Sequence, residues 1–324
     1  MSQPWRLGAL VLAALGWGSS AAFTKHALDG FPPITLLAVQ LVVANLILWP
    51  VLAVRGMRRP SAPWRFALLG FFEPALAYTG LTLGLGYTTA ANASLLSSLE
   101  SCFVVILAAL FLGERIGRRS AFGLFLAVIG VAVLNRADSV NAISLGDMLI
   151  TGGALSAAIY VIFASRVAPH VDPVEMTTYQ FGFGLLFTLP AAAVQWLSGH
   201  ERLADPAPAG DHWIAAVAGG GLGFAMSFLL YNFAIRTVPA GAAGMTLNLI
   251  PVFGVIAAVV GLNEPFTLTQ ALGAALIVGG LVAFPHPGGD DTPAVPSPAP
   301  QALVAAAAAS PPTTTTGRSL ANER

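Results

Sequence analysis

Two carboxylates sit in stretches that are apolar on both sides: Glu73 inside FALLGFFEPALAYTGLTLG and Glu100 inside NASLLSSLESCFVVILAALF. By counting, each falls near the middle of a segment long enough to cross a bilayer. An ionised side chain at that depth costs at least ~3 kcal/mol, so it should face the interior of a helix bundle or a wet cavity. Desolvation disfavours the bare carboxylate, so either side chain could bind and release a proton in the physiological range, or stay ionised beside a cation. The bland alternative is a protonated glutamate that only donates a hydrogen bond between helices. Pro74, next to Glu73, can also break its helix and bare nearby carbonyls.

Other residues capable of chemistry are sparser. Lys25, near the end of the first apolar stretch, either snorkels to the interface or serves as a gate or counter-charge, and His26 reads as an interfacial histidine. Trp17, Gln40, Tyr78, Tyr160, Tyr179, Gln180, Tyr231, Asn232 and Asn248 are scattered through apolar sequence, where each is either a pathway residue or interhelical glue. Trp17 and Tyr78 are candidate aromatic walls, against a plain packing role. The predicted substrate or proton pathway therefore comprises Glu73, Glu100, Gln40, Gln180, Trp17, Tyr78, Asn232, Asn248 and Lys25. No catalytic, cofactor-binding or metal residue is predicted. His26, His170, His200, His212 and His286 show no ligand spacing, and Cys102 is alone and reads as core. The sequence also lacks a His-Glu-x-x-His pair, a phosphate-cradling glycine loop and a Gly-x-Ser-x-Gly elbow.

These residues need helices to hold them. Of 324 residues 56% are hydrophobic and 9% charged, against about 25% charged in soluble domains, which places the chain in a membrane. Lys and Arg balance Asp and Glu at 15 each, so no basic face suggests nucleic acid. Ten apolar stretches fit membrane spans: about 7–27, 34–54, 64–83, 89–111, 119–135, 146–166, 174–197, 213–235, 239–261 and 266–284. Arg6, the apolar run after it and Gly18-Ser19-Ser20-Ala21-Ala22 imitate a cleavable signal. The repeat described next needs that segment as a span. Arginine concentrates in alternate connections (Arg55, Arg58, Arg59 and Arg65; Arg115, Arg118 and Arg119; Arg166; Arg236), with Arg6 before them, and only Lys25, Arg136 and Arg202 fall on the other side. Both termini are thus predicted to be cytoplasmic.

The chain is internally duplicated. Shifted by 150 positions, Gly86 to Leu134 lies on Arg236 to Phe284 without a gap, matching Phe103 with Phe253, Glu114 with Glu264, Gly123 with Gly273 and Gly130 with Gly280. At an offset of 140, Pro33 meets Pro173, Gln40 meets Gln180 and Pro50 meets Pro190. Five spans per copy is an odd number, so the second copy enters the membrane from the opposite side. Inversion would place Gln40 and Gln180 at mirrored depths. The predicted fold class is an all-α polytopic membrane protein of ten transmembrane helices in two inverted five-helix repeats. Its parts are a cytoplasmic N-terminus (1–6), a first repeat (7–135), a linker (136–145), a second repeat (146–284) and a Pro/Ala/Thr-rich tail (285–324) too poor in buried apolar surface to fold. Glu114 and Glu264 each precede the last helix of their repeat, where a carboxylate would complement that helix's N-terminal dipole, and Pro265 suits its first position.

Leu112-Gly113-Glu114 with Gly123 and Gly130, Pro251, Phe253 and Leu262-Asn263-Glu264-Pro265 with Gly273 and Gly280, and Trp17-Gly18-Ser19 with Lys25 carry a family likeness. The chain resembles the EamA family of the drug/metabolite transporter superfamily over about 7–284. It departs from the pattern at Ser101, preceded by Glu100, where the second copy has Pro251. The resemblance implies export of amino acids, metabolites or drugs and favours a cavity role for Lys25. Two mid-membrane carboxylates with no arginine at the centre add a preference for a small organic cation, amine or zwitterion. The predicted function is a secondary transporter working by alternating access in the plasma or inner membrane, driven by a proton gradient and holding no cofactor. Its predicted partners are a small-molecule substrate, the lipid bilayer, no nucleic acid and, as one option, a second copy of the chain in a homodimer. The alternative within transport is a proton-independent facilitator or uptake permease. From another class comes an intramembrane enzyme or lipid-handling protein, which would need acid/base or metal groups that the sequence does not cluster.

Overall fold

A computed structural model describes residues 3–56, 62–111, 118–137, 144–167, 170–202, 207–235 and 249–283. All their regular structure is helical: α1 (Gln3–Ala27), α2 (Pro33–Arg55), α3 (Pro63–Gly70), a π-helical segment π1 (Phe71–Leu76), α4 (Ala77–Leu85), α5 (Ala90–Ser97), α6 (Leu99–Phe111), α7 (Arg118–Ala137), α8 (Leu145–Val167), α9 (Pro173–Leu197), α10 (Gly210–Ala218), a second π-helical segment π2 (Gly219–Met226), α11 (Ser227–Ile235), α12 (Ile250–Leu262) and α13 (Leu268–Ala283). Six of these helical stretches are long and apolar enough to cross a membrane: Pro33–Arg55, Pro63–Leu85, Ala90–Phe111, Leu145–Ala164, Pro173–Leu197 and Gly210–Phe233. Leu110, Ile214, Leu222 and Val260 lie exposed on the outside, as residues that face lipid do. Glu114, Asn248, most of the linker and the 285–324 tail lie outside the described residues.

Local chemistry explains the helix starts. Proline occupies the first turn of α2, α3, α9 and α12, where its missing N–H costs nothing. Asp172 caps α9 by accepting from the N–H groups of Val174 (2.9 Å) and Glu175 (3.4 Å). Thr267 and Gln270 cap α13 reciprocally: the Thr267 hydroxyl accepts from Gln270 N–H at 3.2 Å, and the Gln270 carbonyl oxygen accepts from Thr267 N–H at 2.9 Å. That capping box corrects the expectation for Glu264 and Pro265, because α13 begins at Leu268 and does not use Glu264. The Glu264 carboxylate instead accepts from the N–H groups of Ala90 (2.8 Å) and Ala91 (3.0 Å), so it caps α5, in the first half of the chain.

Packing pairs α2 with α9, α7 with α13, α1 with α12, α11 and π2, and α8 with α4, α6 and π1. One core joins Leu37, Leu41 and Leu48 of α2 to Phe181 of α9 and to Phe224 and Phe228 near π2. A second joins α4, α5, α6, α8 and α12 and includes Cys102, 2% exposed, which is a core residue as its apolar run suggests. Glycines let backbones touch at the crossings. A Cβ on Gly80 would meet the Leu149 carbonyl oxygen at 2.6 Å, whereas one on Gly152 would meet nothing within 4 Å. Gly80→Ala should therefore cost about 1–3 kcal/mol by overpacking. Gly152→Ala should be neutral or gain the roughly 0.5–1 kcal/mol that alanine brings to a helix. Thermal unfolding of the two variants in detergent checks the opposite signs.

Candidate functional site

The helix α3–π1–α4 is interrupted at Glu73, whose backbone (φ −146°, ψ 118°) is extended rather than helical. The Glu73–Pro74 peptide is cis, and Pro74 has no N–H to return to the helix. Carbonyls around the break therefore need donors from elsewhere, because a bilayer offers none. Two helices of the second half provide them. Gln180 on α9 donates its amide to the Glu73 carbonyl at 2.8 Å, and Ser156 on α8 adds its hydroxyl at 2.8 Å to the Phe72 carbonyl, which also accepts the Ala77 N–H within the π-helical turn. The Tyr160 hydroxyl donates to the Gln180 side-chain oxygen at 3.2 Å, which fixes the amide's orientation.

With the backbone held this way, the Glu73 side chain is buried, 8% exposed, among groups from both halves. Tyr78 turns its hydroxyl to the Glu73 carboxylate, and the Trp17 indole reaches that hydroxyl in turn. Glu100 faces Glu73 closely enough for the two charges to act on each other. It lies in the first turn of α6, just after the turn at Ser98 that separates α5 from α6. Tyr160 and Tyr231 lie within electrostatic reach of both carboxylates. Aromatic rings close the back of the site: Trp17 meets Phe228 edge-on at 5.1 Å and Tyr231 at 5.3 Å, while Tyr78 stacks on Phe224 at 4.2 Å. The result is a pair of carboxylates walled by tyrosine and tryptophan faces. Such an arrangement attracts a cationic group through charge and through the rings' negative faces.

Of the residues singled out from sequence, Glu73, Glu100, Tyr78, Trp17 and Gln180 come together here. Gln180 does so through its hydrogen bonds, since it is fully buried. Gln40 lies in α2 against π2, where its amide donates to the Thr24 hydroxyl at 3.0 Å and its side-chain oxygen has no partner among the described residues. Asn232 donates to the Thr177 hydroxyl at 2.6 Å, tying α11 to α9. Lys25 donates to the carbonyls of Leu85 (2.6 Å) and Thr88 (3.0 Å), at the C-terminal end of α4, where a cation suits the helix dipole. Asn248 lies outside the described residues. Sequence reasoning passed over Ser156 and Glu201. The Glu201 carboxylate accepts from Ile34 N–H and Thr35 N–H, both at 2.9 Å, and so caps α2, whose N-cap Pro32 makes no side-chain cap bond. A carboxylate beside a Pro-initiated helix has no sequence signal when 166 residues separate them.

The family model described as the EamA-like transporter family matches residues 5–136 and again residues 144–284. The chain belongs to the EamA-like transporter family. The chain is similar to YetK, an uncharacterized transporter of Bacillus subtilis (strain 168), 27% identical over 82% of this chain and 82% of that protein. It is also similar to a probable terminal-alkyne amino-acid exporter of Streptantibioticus cattleyicolor, 26% identical over 85% of this chain and 91% of that one. A third relative, a probable amino-acid metabolite efflux pump of Escherichia coli (strain K12), is 25% identical over 84% and 91%. A crystal structure 22% identical in sequence superposes with a TM-score of 0.63 over 87% of this chain and 96% of that chain, which shows a shared fold. As an EamA-like protein the chain is a multi-pass membrane transporter of a small solute and not an enzyme.

The Gln180 network makes a measurable difference between the two glutamines. Gln180→Leu strips the Glu73 carbonyl and the Tyr160 hydroxyl of their partner and should destabilise the protein by about 1–3 kcal/mol or more. Gln40→Leu removes one neutral bond and should cost less. Thermal unfolding of both variants in the same detergent tests the order.

Proposed function

We propose that the chain is a secondary transporter in which Glu73 and Glu100 form the exchange site for a proton and a small organic cation, amine or zwitterion. The observation that carries this reading is the pair of carboxylates, buried Glu73 and half-buried Glu100, close enough to act on each other and lying with Trp17, Tyr78, Tyr160 and Tyr231 from both halves of the chain. A carboxylate neutralised by a proton has no charge to offer a cation, so occupancy by one excludes the other. That competition is the elementary step of exchange. Interrupted helices support the placement, because transporter sites form where membrane helices are broken at corresponding positions in two repeats. Here the breaks are π1, with Pro74, and π2, which opens on Gly219-Gly220-Gly221.

The transport cycle we propose is alternating access between two inverted five-helix repeats, 7–135 and 146–284, making ten spans with both termini cytoplasmic in the plasma or inner membrane. The family model's two matches support the duplication. Reciprocal contacts support a two-fold relation between the copies. A Cβ on Gly130 would strike the Gly273 carbonyl and one on Gly280 the Gly123 carbonyl, while the Gln40 carbonyl faces Gly220 and the Gln180 carbonyl faces Gly70. The printed names of two relatives, an amino-acid exporter and an amino-acid metabolite efflux pump, support an amino-acid-like solute and an outward direction. The proton gradient drives the cycle and no bound cofactor is invoked.

Proteoliposomes test this directly. Solutes that raise the melting temperature of the purified protein in a screen of amino acids and amines should accumulate against an imposed pH gradient. Glu100→Gln should abolish the pH dependence and lower flux about tenfold or more, within the usual range for loss of a positioned proton-transfer group. Unchanged flux with unchanged pH dependence in Glu100→Gln would remove the carboxylate pair from the mechanism.

A further inference from the structure

The histidines show no ligand spacing along the chain, yet folding brings two of them together. His26, in the last turn of α1, and His212, in the first turn of α10, approach with ring centroids 5.3 Å apart. Asp211 joins them, its Oδ2 3.1 Å from His26 Nε2, and Asp29 Oδ2 stands 4.0 Å from His26 Nδ1. His26, Asp211 and His212 each offer one donor atom, all within 4.8 Å of one another. We propose that this cluster binds a zinc-type divalent transition-metal ion that ties the end of α1 to the start of α10.

The geometry is close to that of a loaded site. In tetrahedral zinc coordination, with bonds of roughly 2.0–2.2 Å, neighbouring donor atoms stand about 3.4 Å apart. The His26–Asp211 separation of 3.1 Å needs only a few tenths of an ångström of relaxation. The ion takes the place of the proton that His26 Nε2 and Asp211 Oδ2 now share. His212 makes the larger adjustment. Its Nδ1 accepts the Ala209 N–H at 3.2 Å, a bond the ring relinquishes on turning to the ion, and exposed Ala209 then finds water. Gly30 packs directly on the His212 ring, where a Cβ would clash, so the chain holds the imidazole beside α1. Water completes the coordination, and Asp29, beside the other ring nitrogen His26 Nδ1, stands where it can orient the imidazole.

The ligand chemistry selects the class of ion. Two imidazoles and a carboxylate suit zinc, cobalt, nickel or copper, whereas magnesium and calcium take oxygen donors. A simple ion pair would need one histidine and one aspartate, whereas here a second imidazole, which caps α10 through Ala209, brings a third donor within reach. The site is separate from the Glu73–Glu100 pair, and its test does not depend on what is transported.

The full chain, purified without a histidine tag and stripped with a chelator, is titrated with Co2+, read by its visible ligand-field bands, and with Zn2+ by competition. One ion per chain is expected. His26→Ala and His212→Ala should each weaken binding about tenfold or more, the scale on which metal sites respond to loss of even an outer partner, and Asp211→Asn should weaken it too. His170→Ala, His200→Ala and His286→Ala should bind as the parent does. Equal metal-free melting temperatures will confirm that the variants fold, and His26→Gln and His212→Gln replace any that do not. Binding unchanged by loss of both His26 and His212, or no stoichiometric binding below about 1 mM, a concentration at which affinity is only some 4 kcal/mol, would overturn the proposal.

Discussion

A carbonyl freed inside a membrane must find a donor within the protein, and this one requirement, applied at Glu73–Pro74, organises much of the molecule. The break leaves the Glu73 carbonyl to the Gln180 side chain, and Ser156 adds a second donor to the Phe72 carbonyl, which also accepts the Ala77 N–H. Ser156 and Gln180 donate from α8 and α9, which binds the second half of the chain to the first at the depth of the carboxylates. Gln180 is then itself fixed by Tyr160, and Tyr160 lies within electrostatic reach of both Glu73 and Glu100. The groups that satisfy the backbone are thus the groups that wall the site. A substitution that removes a donor to the break therefore also disturbs the surroundings of the carboxylates.

The same logic operates where α1, α4 and α9 end and α2, α5 and α10 begin. Lys25 of α1 covers the carbonyl end of α4, Glu264 of the α12–α13 connection the amide end of α5, and Glu201, just past the end of α9, the amide end of α2. Their charges complement the helix ends they meet, and a charged side chain spanning two helices does the work of a loop without adding one. All three, with the His26–Asp211 contact, lie at the end of the bundle where α1 ends and α2 begins. Their hydrogen bonds involve charged groups, each stronger than a neutral one, and they tie together helices that are far apart in sequence.

How much of this could be seen in the sequence depends on range. Apolar length located the helices to within a few residues at most ends, because lipid imposes length directly: expected spans at 34–54 and 174–197 are Pro33–Arg55 and Pro173–Leu197. Insertion cost marked Glu73 and Glu100 as interior, since an isolated carboxylate at that depth has few alternatives. Pairings between distant helices were not legible. Glu264 stands beside a proline and before a helix, which points to local capping, yet it serves α5 across the fold while Thr267 and Gln270 cap α13. His26 and His212 are 186 positions apart and meet only because α1 packs against α10. Local spacing rules register neither, because the chemistry lies in which helices are adjacent.

The two copies share a scaffold and not a charge. At the 150-residue offset Glu73 corresponds to Gly223 and Glu100 to Ile250, so both carboxylates come from the first copy. The second copy breaks its helix at π2 with glycines, exposes no proline-freed carbonyl, and leaves Gln40 to bond Thr24 where Gln180 bonds Glu73. The division has a physical reason. Two conformations of similar energy need matched helix contacts, which duplication provides through reciprocal glycine crossings such as Gly130 with Gly273 and Gly280 with Gly123. A binding site has no such need, and doubling its charge would bury four carboxylates in a volume where even two raise one another's electrostatic cost. Symmetry is therefore kept at the glycine crossings and lost at the carboxylates, with the Glu73 break at the junction of the two.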